Sequence, residues 1–565
     1  MINQEIALIF SNMASYYEMS DDKNAFFRAR AYRKAAETLE KFPYDLKSND
    51  WKSKDKLVKI EGIGQRTAEQ IIEYIETGKI QAYEDLKKES PVNLEELLKV
   101  QGVGPKTIKK LYKELGVTDI ESLKNAAEAG LIAQLEGFGE KSQEKILESI
   151  EFTIVNKDRI LFAEAENIVN QVLEYLNKDK NLIKAVPLGS FRRKKETIGD
   201  IDILILSKNP KQTTKYFNSY SHIEKILATG DTKSSVWLKS KIQIDIRIVN
   251  NDSFGSAMQY FTGSKEHNIR LRNVAISQGY KLSEYGLFDR NTKAKVEGAD
   301  EKAIYKRLGL QFIEPELREA EGEIEVAKNH NLPTLLTIND IEGDLHTHTT
   351  FSDGANTVEE MVIQAISKGY KYIGISDHFG KLKIANAIDE TEFSEYLTEI
   401  RQVGEKYKNK IKVFASAEVE IDKDGNLEFN EKLLKELDYV VASIHFSTNM
   451  TKNEMTRRII KAVKNPLTTI LGHPTNRLLL IRKGYEYDYK EVFKIAKEEN
   501  TALEINSQPK RLDLSDKLAR MAKEIGCKIA INTDAHNTES LDLIKYGVNN
   551  ARRGWIEPKD LYKPF

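Results

Sequence analysis

From Gly189 the chain reads "GSFRRKKETIGDIDILIL", four basic side chains followed by two carboxylates, Asp200 and Asp202, that open an apolar run. In an extended strand alternate residues share a face, so both acids project together while Ile201, Ile203 and Ile205 take the other face. A second run, "KIQIDIRIV", sets Asp245 and Arg247 opposite Ile244, Ile246 and Ile248 in the same way. Convergent carboxylates about 4 Å apart would repel by roughly 4 kcal/mol per pair at an effective dielectric near 20. Protonation or divalent cations must relieve that. Oxygen ligands suit magnesium, and two such ions can hold the attacking and leaving oxygens of a phosphoryl displacement. The Gly-Ser turn, with free amides and a hydroxyl, and the neighbouring Arg192 and Arg193 suit phosphate oxygens beyond the metals' reach. An isolated Asp-x-Asp also suits a solvated edge strand. The turn before it and the matching strand after it favour phosphoryl chemistry.

A second set of reactive residues lies in the C-terminal part. Six of the nine histidines follow residue 345, nearly all closing apolar β-like runs: "IEGDLHTH", "YIGISDH", "VVASIH", "TILGH" and "IAINTDAH". "VFASAE" ends in an acid instead. His346 and His348, two apart on one strand face, suit chelation by two imidazoles. With Asp353, His378, Glu418, His445, His473, Asp534 and His536 they make nine candidate ligands, enough for up to three metals with Glu418 as a bridge. Water acidified on such a cluster would attack a phosphodiester. Imidazole-rich ligands leave manganese, zinc and iron open. Of the remaining histidines, His222 and His330 read as surface residues, and His267, next to Asn268, is a candidate for a nucleotide pocket.

The elements that position these groups also leave a trace. Helical patterns such as "TVEEMVIQAISKG" and "EVFKIAKEEN" alternate with the histidine-ended strands, which predicts a parallel sheet or barrel with its ligands on one rim. Before residue 150 a Gly-x-Gly turn recurs in "LVKIEGIGQRTAEQIIEYI", "LLKVQGVGPKTIKKLY" and "IAQLEGFGEKSQEKILESI", each between amphipathic helical segments. Such a turn exposes main-chain amides at a helix start, where they attract phosphate oxygens whatever the base sequence. A chain of 565 residues implies about three to four packing units. The net charge is −1; clusters of lysine and arginine, "WKSKDKLVKIEGIGQR", "GPKTIKKLYK" and "FRRKK", all lie before residue 200, while motifs of aspartate, glutamate and histidine gather beyond residue 340. The N-terminus has no basic leader or long apolar stretch, which predicts a cytoplasmic protein without a membrane span. The lone Cys527 excludes a disulfide framework and reads as a buried small hydrophobe.

The repeats resemble helix-hairpin-helix elements, which in their families grip DNA backbone and often share a monovalent cation with a phosphate. Gly62, Gly64, Gly102, Gly104, Lys106, Gly137 and Gly139 are the DNA contacts implied. "AYRKAAETLEKFP", "GSFRRKKETIGDIDILI", "QIDIRIV" and "YFTGSKEHNIRLR" resemble the family X DNA polymerases over roughly residues 1 to 318. That resemblance implies that Asp200, Asp202 and Asp245 hold two magnesium ions, and that Ser190, Arg193 and Gly199 contact the phosphates of a deoxynucleoside triphosphate. It further implies Tyr260, Phe261 and Gly263 under the sugar, Asn268 at the base, Arg272 near the template, and Arg247 among the DNA contacts. One departure stands out: Gln70 occupies the position of the family's lyase lysine, and glutamine forms no Schiff base. Arg28, Lys34 and Arg66 remain able to bind a 5′-phosphate. The histidine motifs resemble the PHP (polymerase and histidinol phosphatase) domain over about residues 341 to 565, a distorted (β/α)7 barrel of the TIM type. In bacterial family X enzymes that domain is associated with manganese-dependent 3′-to-5′ exonuclease action and related repair-site hydrolysis, which extends to possible cleavage at abasic sites.

The expected fold class is a multidomain α/β protein. Its parts are an N-terminal helical domain over 1–90, a helix-hairpin-helix subdomain over 91–150, a nucleotidyltransferase palm over 151–250, a nucleotide- and template-binding subdomain over 251–318, a connector over 319–340 and the PHP domain over 341–565. The expected function is short-gap repair synthesis on gapped or primed DNA, joined to a nuclease that uses manganese or zinc. Two rivals stand beside it: a nuclease whose polymerase half only holds DNA, and a noncatalytic helix-hairpin-helix binder.

Overall fold

In a computed structural model, residues 2–20, 24–42, 46, 51, 53–155, 158–381 and 385–564 are described. Pro43, the last residue of the first family motif, lies outside them. The chain divides into two compact units: Met1–Lys157 with the segments Asp353–Met361 and His536–Glu539, and Asp158–Ser352 with Val362–Ala535 and Ser540–Phe565. Among the described residues no helix is long and apolar enough to cross a membrane.

The first unit is helical. Ile2–Met19 and Ala25–Lys41 pack together, and Ile6, Phe10, Met13, Leu39, Ile71, Leu97, Leu111 and Ile150 belong to one apolar cluster running through the N-terminal region. The three Gly-x-Gly turns share one hydrogen-bond pattern. The amides of Ile63, Val103 and Phe138 donate to the carbonyls of Ile60, Val100 and Leu135, and those of Ala68, Ile108 and Gln143 to Gly64, Gly104 and Gly139. In each turn the first glycine holds a left-handed φ, +88° at Gly62, +84° at Gly102 and +85° at Gly137, which only glycine adopts without strain.

The second unit opens with a five-stranded sheet ordered Leu182–Pro187, Asp200–Ser207, Gln243–Val249, Lys233–Leu238, Ile223–Thr229. The two acid-bearing strands are central neighbours and run parallel; the other pairings are antiparallel. Their isoleucines, Ile201, Ile203, Ile205, Ile244, Ile246 and Ile248, are buried in a core shared with the helix Phe162–Leu176. Beyond the acids the other face is also covered, by Phe254 and Ala257 of the helix Phe254–Thr262 packed on Leu188 and Leu204. A small subdomain follows, with a three-stranded antiparallel sheet over Tyr280–Ser283, Gly286–Asp289 and Lys295–Glu297.

Residues 319–340 join the two halves but are packed rather than free. Glu323, Ile324 and Ala327 of the helix Glu323–Lys328 are buried, as is Leu336. The polar composition of this connector includes buried charge that is paired: Glu323 accepts from His267.

The C-terminal barrel has seven parallel strands in path order, Gly343–Asp344, Tyr372–Ile375, Lys412–Glu420, Tyr439–Ser443, Thr468–Leu471, Ala502–Asn506 and Ile529–Asn532, with His378–Phe379 paired to Lys412–Glu420. A parallel bridge between Thr347 and Ala535 brings its first and last strand ends together. Barrel and polymerase half share packing within this unit. Leu479, Leu512 and Tyr546 belong to the palm core and Trp555 to that of the small subdomain. Glu196 pairs with Arg477 at 2.7 Å, Glu166 with Lys545 at 2.7 Å and Glu316 with Arg552 at 2.9 Å.

Candidate active sites

On the palm, Asp202 and Asp245 are register partners across two parallel strands, and Asp200 lies one pleat along on the same face. Asp200 is exposed and Asp202 half-buried. Burial, then the charges of Asp200 and Asp245, push the Asp202 carboxyl up to about 7, while Arg247 and Arg193 pull it down. Burial likewise raises Asp245. Its oxygens are held by the Ser235 hydroxyl and by Gln243 Nε2 at 2.9 Å, two residues the sequence gives no reason to single out. Gly189, at φ +59°, starts the short helix of the Gly-Ser turn, and a Cβ there would lie 2.6 Å from Asp202 Oδ2, so the turn can sit on the acid only as glycine. A cavity of about 290 Å³ is lined by Asp202, Ser235, Asp245, Arg247 and Phe261. The burial of Asp202 against two other acids, leaving it a weak acid, is the condition a divalent ion resolves, and the all-oxygen donor set fits magnesium.

The basic loop is already engaged. Arg192 forms a two-pronged pair with Glu301, at 2.9 and 2.6 Å, and Arg318 meets the same carboxylate at 2.7 Å. Arg193 Nε bonds Glu319 at 3.0 Å and its Nη1 donates to the Thr262 carbonyl, tying the loop to the "YFTG" segment. Ser190 is half-buried, and Gly199 packs against Arg159, whose Nη1 would lie 3.2 Å from a Cβ. Tyr260 and Phe261 meet edge to face at 5.1 Å, and the exposed Arg247 lies 4.8 Å over the Phe261 ring. Asn268 is buried, its amide donating to Tyr260 O at 2.7 Å and accepting from Gln259 at 2.7 Å, so both of its polar atoms serve the protein. Arg272 Nε donates to Asn268 O at 3.2 Å. His267 departs from the expectation of a nucleotide pocket: it is fully buried between Glu323, at 2.6 Å, and Tyr305 OH, at 3.0 Å, a satisfied core imidazole.

In the helical unit, Gly64, Arg66, Gly102, Gly104, Lys106 and Gly137 are exposed and Gly139 half-exposed. Gln70 is buried and accepts from Tyr32 OH at 3.0 Å. Lys34 pairs with Glu61 at 2.8 Å, beside the first turn, and Arg28 lies 5.6 Å over the Tyr17 ring.

On the barrel, Glu418 is the hub. Its Oε2 lies 2.8 Å from His378 Nδ1, 3.5 Å from His346 Nε2 and 3.7 Å from His348 Nε2; its Oε1 lies 2.9 Å from His473 Nε2 and 3.5 Å from His445 Nε2. Asp534 Oδ1 adds contacts of 3.1 Å to His348 and 3.7 Å to His346. Asp353 Oδ1 and His536 Nε2, each one residue past Ser352 and Ala535, are 3.2 Å apart. Donor atoms of His346, His348 and Asp534, and separately of His378, Glu418 and His445, lie within 4.8 Å of one another. His346 Nε2 and Glu418 Oε2 are buried without a hydrogen-bond partner among the described residues. Inward-facing lone pairs left unmet in a dry site fit a metal ion.

Charge follows the same logic. Burial disfavours an imidazolium at His346, yet Glu504, Glu418 and Asp534 hold its pKa well above the usual value. Burial opposes ionisation of Glu418 too, yet His378, His346 and His445 keep its carboxyl well below the ordinary range. Around the hub sits a set of carboxylates that the sequence reading missed. Glu504 holds His346 Nδ1 at 2.8 Å and the His473 amide at 2.6 Å, and Glu420 holds His445 Nδ1 at 2.8 Å, turning each Nε2 inward. Glu420 was open to discovery, since it lies two residues from Glu418 on one strand face. Glu504, inside "ALEIN", carried no comparable signal. Cys527 is buried and donates to the Phe493 carbonyl at 3.1 Å.

Family models match in the order of these parts: a helix-hairpin-helix domain over residues 1–80, a SAM-like helix-hairpin-helix tandem over 94–151, the DNA polymerase beta palm over 159–260, the DNA polymerase beta thumb over 257–319 and the PHP domain over 344–508. The chain is 38% identical over 563 residues to the DNA polymerase/3′-5′ exonuclease PolX of Bacillus subtilis, covering 99% of this chain and 97% of that one. The barrel half alone is similar to a probable phosphatase of Caldicellulosiruptor bescii, 35% identical over 35% of this chain and 80% of that one. A probable phosphatase of Clostridium acetobutylicum is 32% identical over 34% and 78%. A match spanning both halves, with both sets of candidate ligands inside it, places this chain in the PHP-bearing branch of the family X DNA polymerases.

Proposed function

We propose that this chain fills short gaps in DNA and trims or prepares 3′ ends, using a separate site for each task. It is a DNA-directed DNA polymerase with a PHP-domain 3′-to-5′ exonuclease. The observation that carries the polymerase reading is the cross-strand pairing of Asp202 with Asp245 beside Asp200. These acids would hold two magnesium ions, and the barrel donors, with the Asp353–His536 pair, up to three ions of manganese or zinc. Divalent ions at such sites supply Lewis acidity and neutralise charge in displacement at phosphorus.

The protein's own groups do the rest. Ser190, Gly199 and Arg193 bind triphosphate oxygens, with Glu319 and Thr262 fixing the Arg193 guanidinium. Tyr260, Phe261 and Gly263 underlie the sugar, Asn268 orients the base-facing edge, and Arg247 and Arg272 approach the DNA. The helix-hairpin-helix turns grip backbone phosphates through main-chain amides, with a monovalent cation as an added bridge. Glu504 and Glu420 fix which nitrogen of His346 and of His445 faces inward. The segment divisions given above and a cytoplasmic site of action belong to the same reading.

Labelled gapped DNA tests it, first with deoxynucleotides and magnesium and then with manganese alone. Growth of the primer followed by 3′ shortening is expected. Shortening alone supports the DNA-holder reading, and a mobility shift with neither supports the noncatalytic binder. The barrel's similarity to probable phosphatases favours a second substrate for the histidine site, a 3′-phosphate, and a 3′-phosphorylated primer in the same assay reports its removal.

A further inference from the structure

Beside the histidine cluster two arginines meet without an acid between them. Arg511 Nη1 donates to Asn476 Oδ1 at 2.8 Å and Arg482 Nη2 to the same oxygen at 2.9 Å. Both side chains are half-buried, and among the described residues neither has an ion-pair partner. Nearby carboxylates are committed elsewhere: Glu420 to His445, with Arg458 at 3.6 Å, and Asp513 to the amide and hydroxyl of Thr475. Two guanidiniums drawn onto one neutral amide oxygen repel each other, and Arg482 Nη1 and Arg511 Nε and Nη2 donate to no protein atom among the described residues.

Asn476 fixes where this pair sits. Its Nδ2 donates to the carbonyl of Ile444, the residue before His445, at 3.0 Å, and its amide donates to His473 O at 2.9 Å. It is buried at φ +50° and, like His473 at +24° and Asp534 at +53°, holds left-handed backbone without being glycine. Strain kept at such positions marks a geometry that its surroundings over-determine. Two ligand-bearing loops and two unneutralised cations are therefore fastened to one side chain.

We propose that Arg482 and Arg511 form a phosphate subsite that holds the DNA phosphate next to the one being cleaved, so that the barrel prefers a polynucleotide to a small phosphate ester. The proposal rests on the reading of the histidine cluster as a phosphodiesterase. A planar guanidinium pair presents forked donors that match phosphate oxygens, and a nucleic-acid strand, unlike a small ester, brings a second phosphate beside the reacting one.

The full chain with Arg482→Ala, Arg511→Ala or Arg511→Lys is assayed in manganese against a 5′-labelled oligonucleotide and against bis(p-nitrophenyl) phosphate, which has no neighbouring phosphate. Either alanine variant is expected to lower the oligonucleotide-to-diester ratio of kcat/KM at least tenfold, mostly through KM. The salt dependence of KM should become shallower by about one unit of slope. Lysine should recover part of the loss. Equal losses on both substrates, with a lowered melting temperature, would show that the arginines only brace the histidine loops. No loss on either substrate also overturns the proposal. An unsubstituted protein that cleaves the small diester and no oligonucleotide removes the nuclease reading and this subsite with it.

Discussion

The two candidate active sites solve one problem, assembling negative oxygen where phosphorus chemistry needs cations, in opposite ways. The palm places three acids on one strand face, and one of them, the half-buried Asp202, is left as a weak acid near pH 7. The barrel buries its hub, Glu418, among imidazoles and backs the rings with further acids, Glu504 and Glu420, so its groups are held in register even before a metal arrives. A site of like charges depends on its ions for assembly, whereas a buried site of alternating charges is organised by the protein.

The strongest test of that contrast is a reciprocal pair. Asp202→Ala should lower primer extension by roughly 10³-fold or more and spare manganese-dependent digestion, and Glu418→Gln should do the reverse. Gel assays on one labelled gapped substrate read both, and joint loss of both activities in either variant would break the picture of separate sites. Next comes the outer ring: Glu504→Gln should weaken metal retention or digestion about 10- to 100-fold while extension persists. Metal content after dialysis, beside rates, shows whether the barrel is as pre-formed as it looks. Smaller again is the effect of Glu319→Gln, which loosens Arg193: nucleotide KM should rise about tenfold or less, with kcat little changed. A fall in KM would instead mean that the carboxylate competes with the triphosphate.

The smallest effect is in pH. Asp202 keeps its proton in the folded, metal-free protein up to about 7, against 3.8 for the free side chain. The folded state therefore binds the extra proton between those values, and stability should fall as pH rises through that window. In chelator the melting temperature should drop by about a few degrees from pH 5 to pH 8. Magnesium at pH 8 should restore it, and Asp202→Asn should remove most of the slope. A slope unchanged by that substitution would place the titration elsewhere.

The palm was legible because its signal is local. Strand alternation alone puts Asp200 and Asp202 on one face, and "QIDIRIV" repeats the pattern at Asp245. The barrel was legible for a different reason: parallel strands end on a common rim, so histidines scattered from 346 to 473 had to converge. Side chains that act through others were hidden. Ser235 and Gln243 hold Asp245, yet a serine and a glutamine on strands have many ordinary uses. His267 misled because adjacency to Asn268 along a helix says nothing about which way each residue points, and it is turned into the core. The residues of 319–340 read as a connector, but composition counts charges without showing that Glu323 is buried with a partner.

The carboxylate of Glu319 has one further implication. It is gripped from the palm by Arg193 and Lys195 and from the last helix of the barrel by Arg553, which also donates to the Arg193 carbonyl at 2.8 Å. A shortened gene ending near codon 340 would strip away that arginine together with Leu479, Leu512, Tyr546 and Trp555, and so uncover the palm and small-subdomain core surfaces that those four residues cover. The joint thus locks both ways: because the loop that carries Arg193 leans on the last helix of the barrel, neither half can be cut away without unpairing charge in the other.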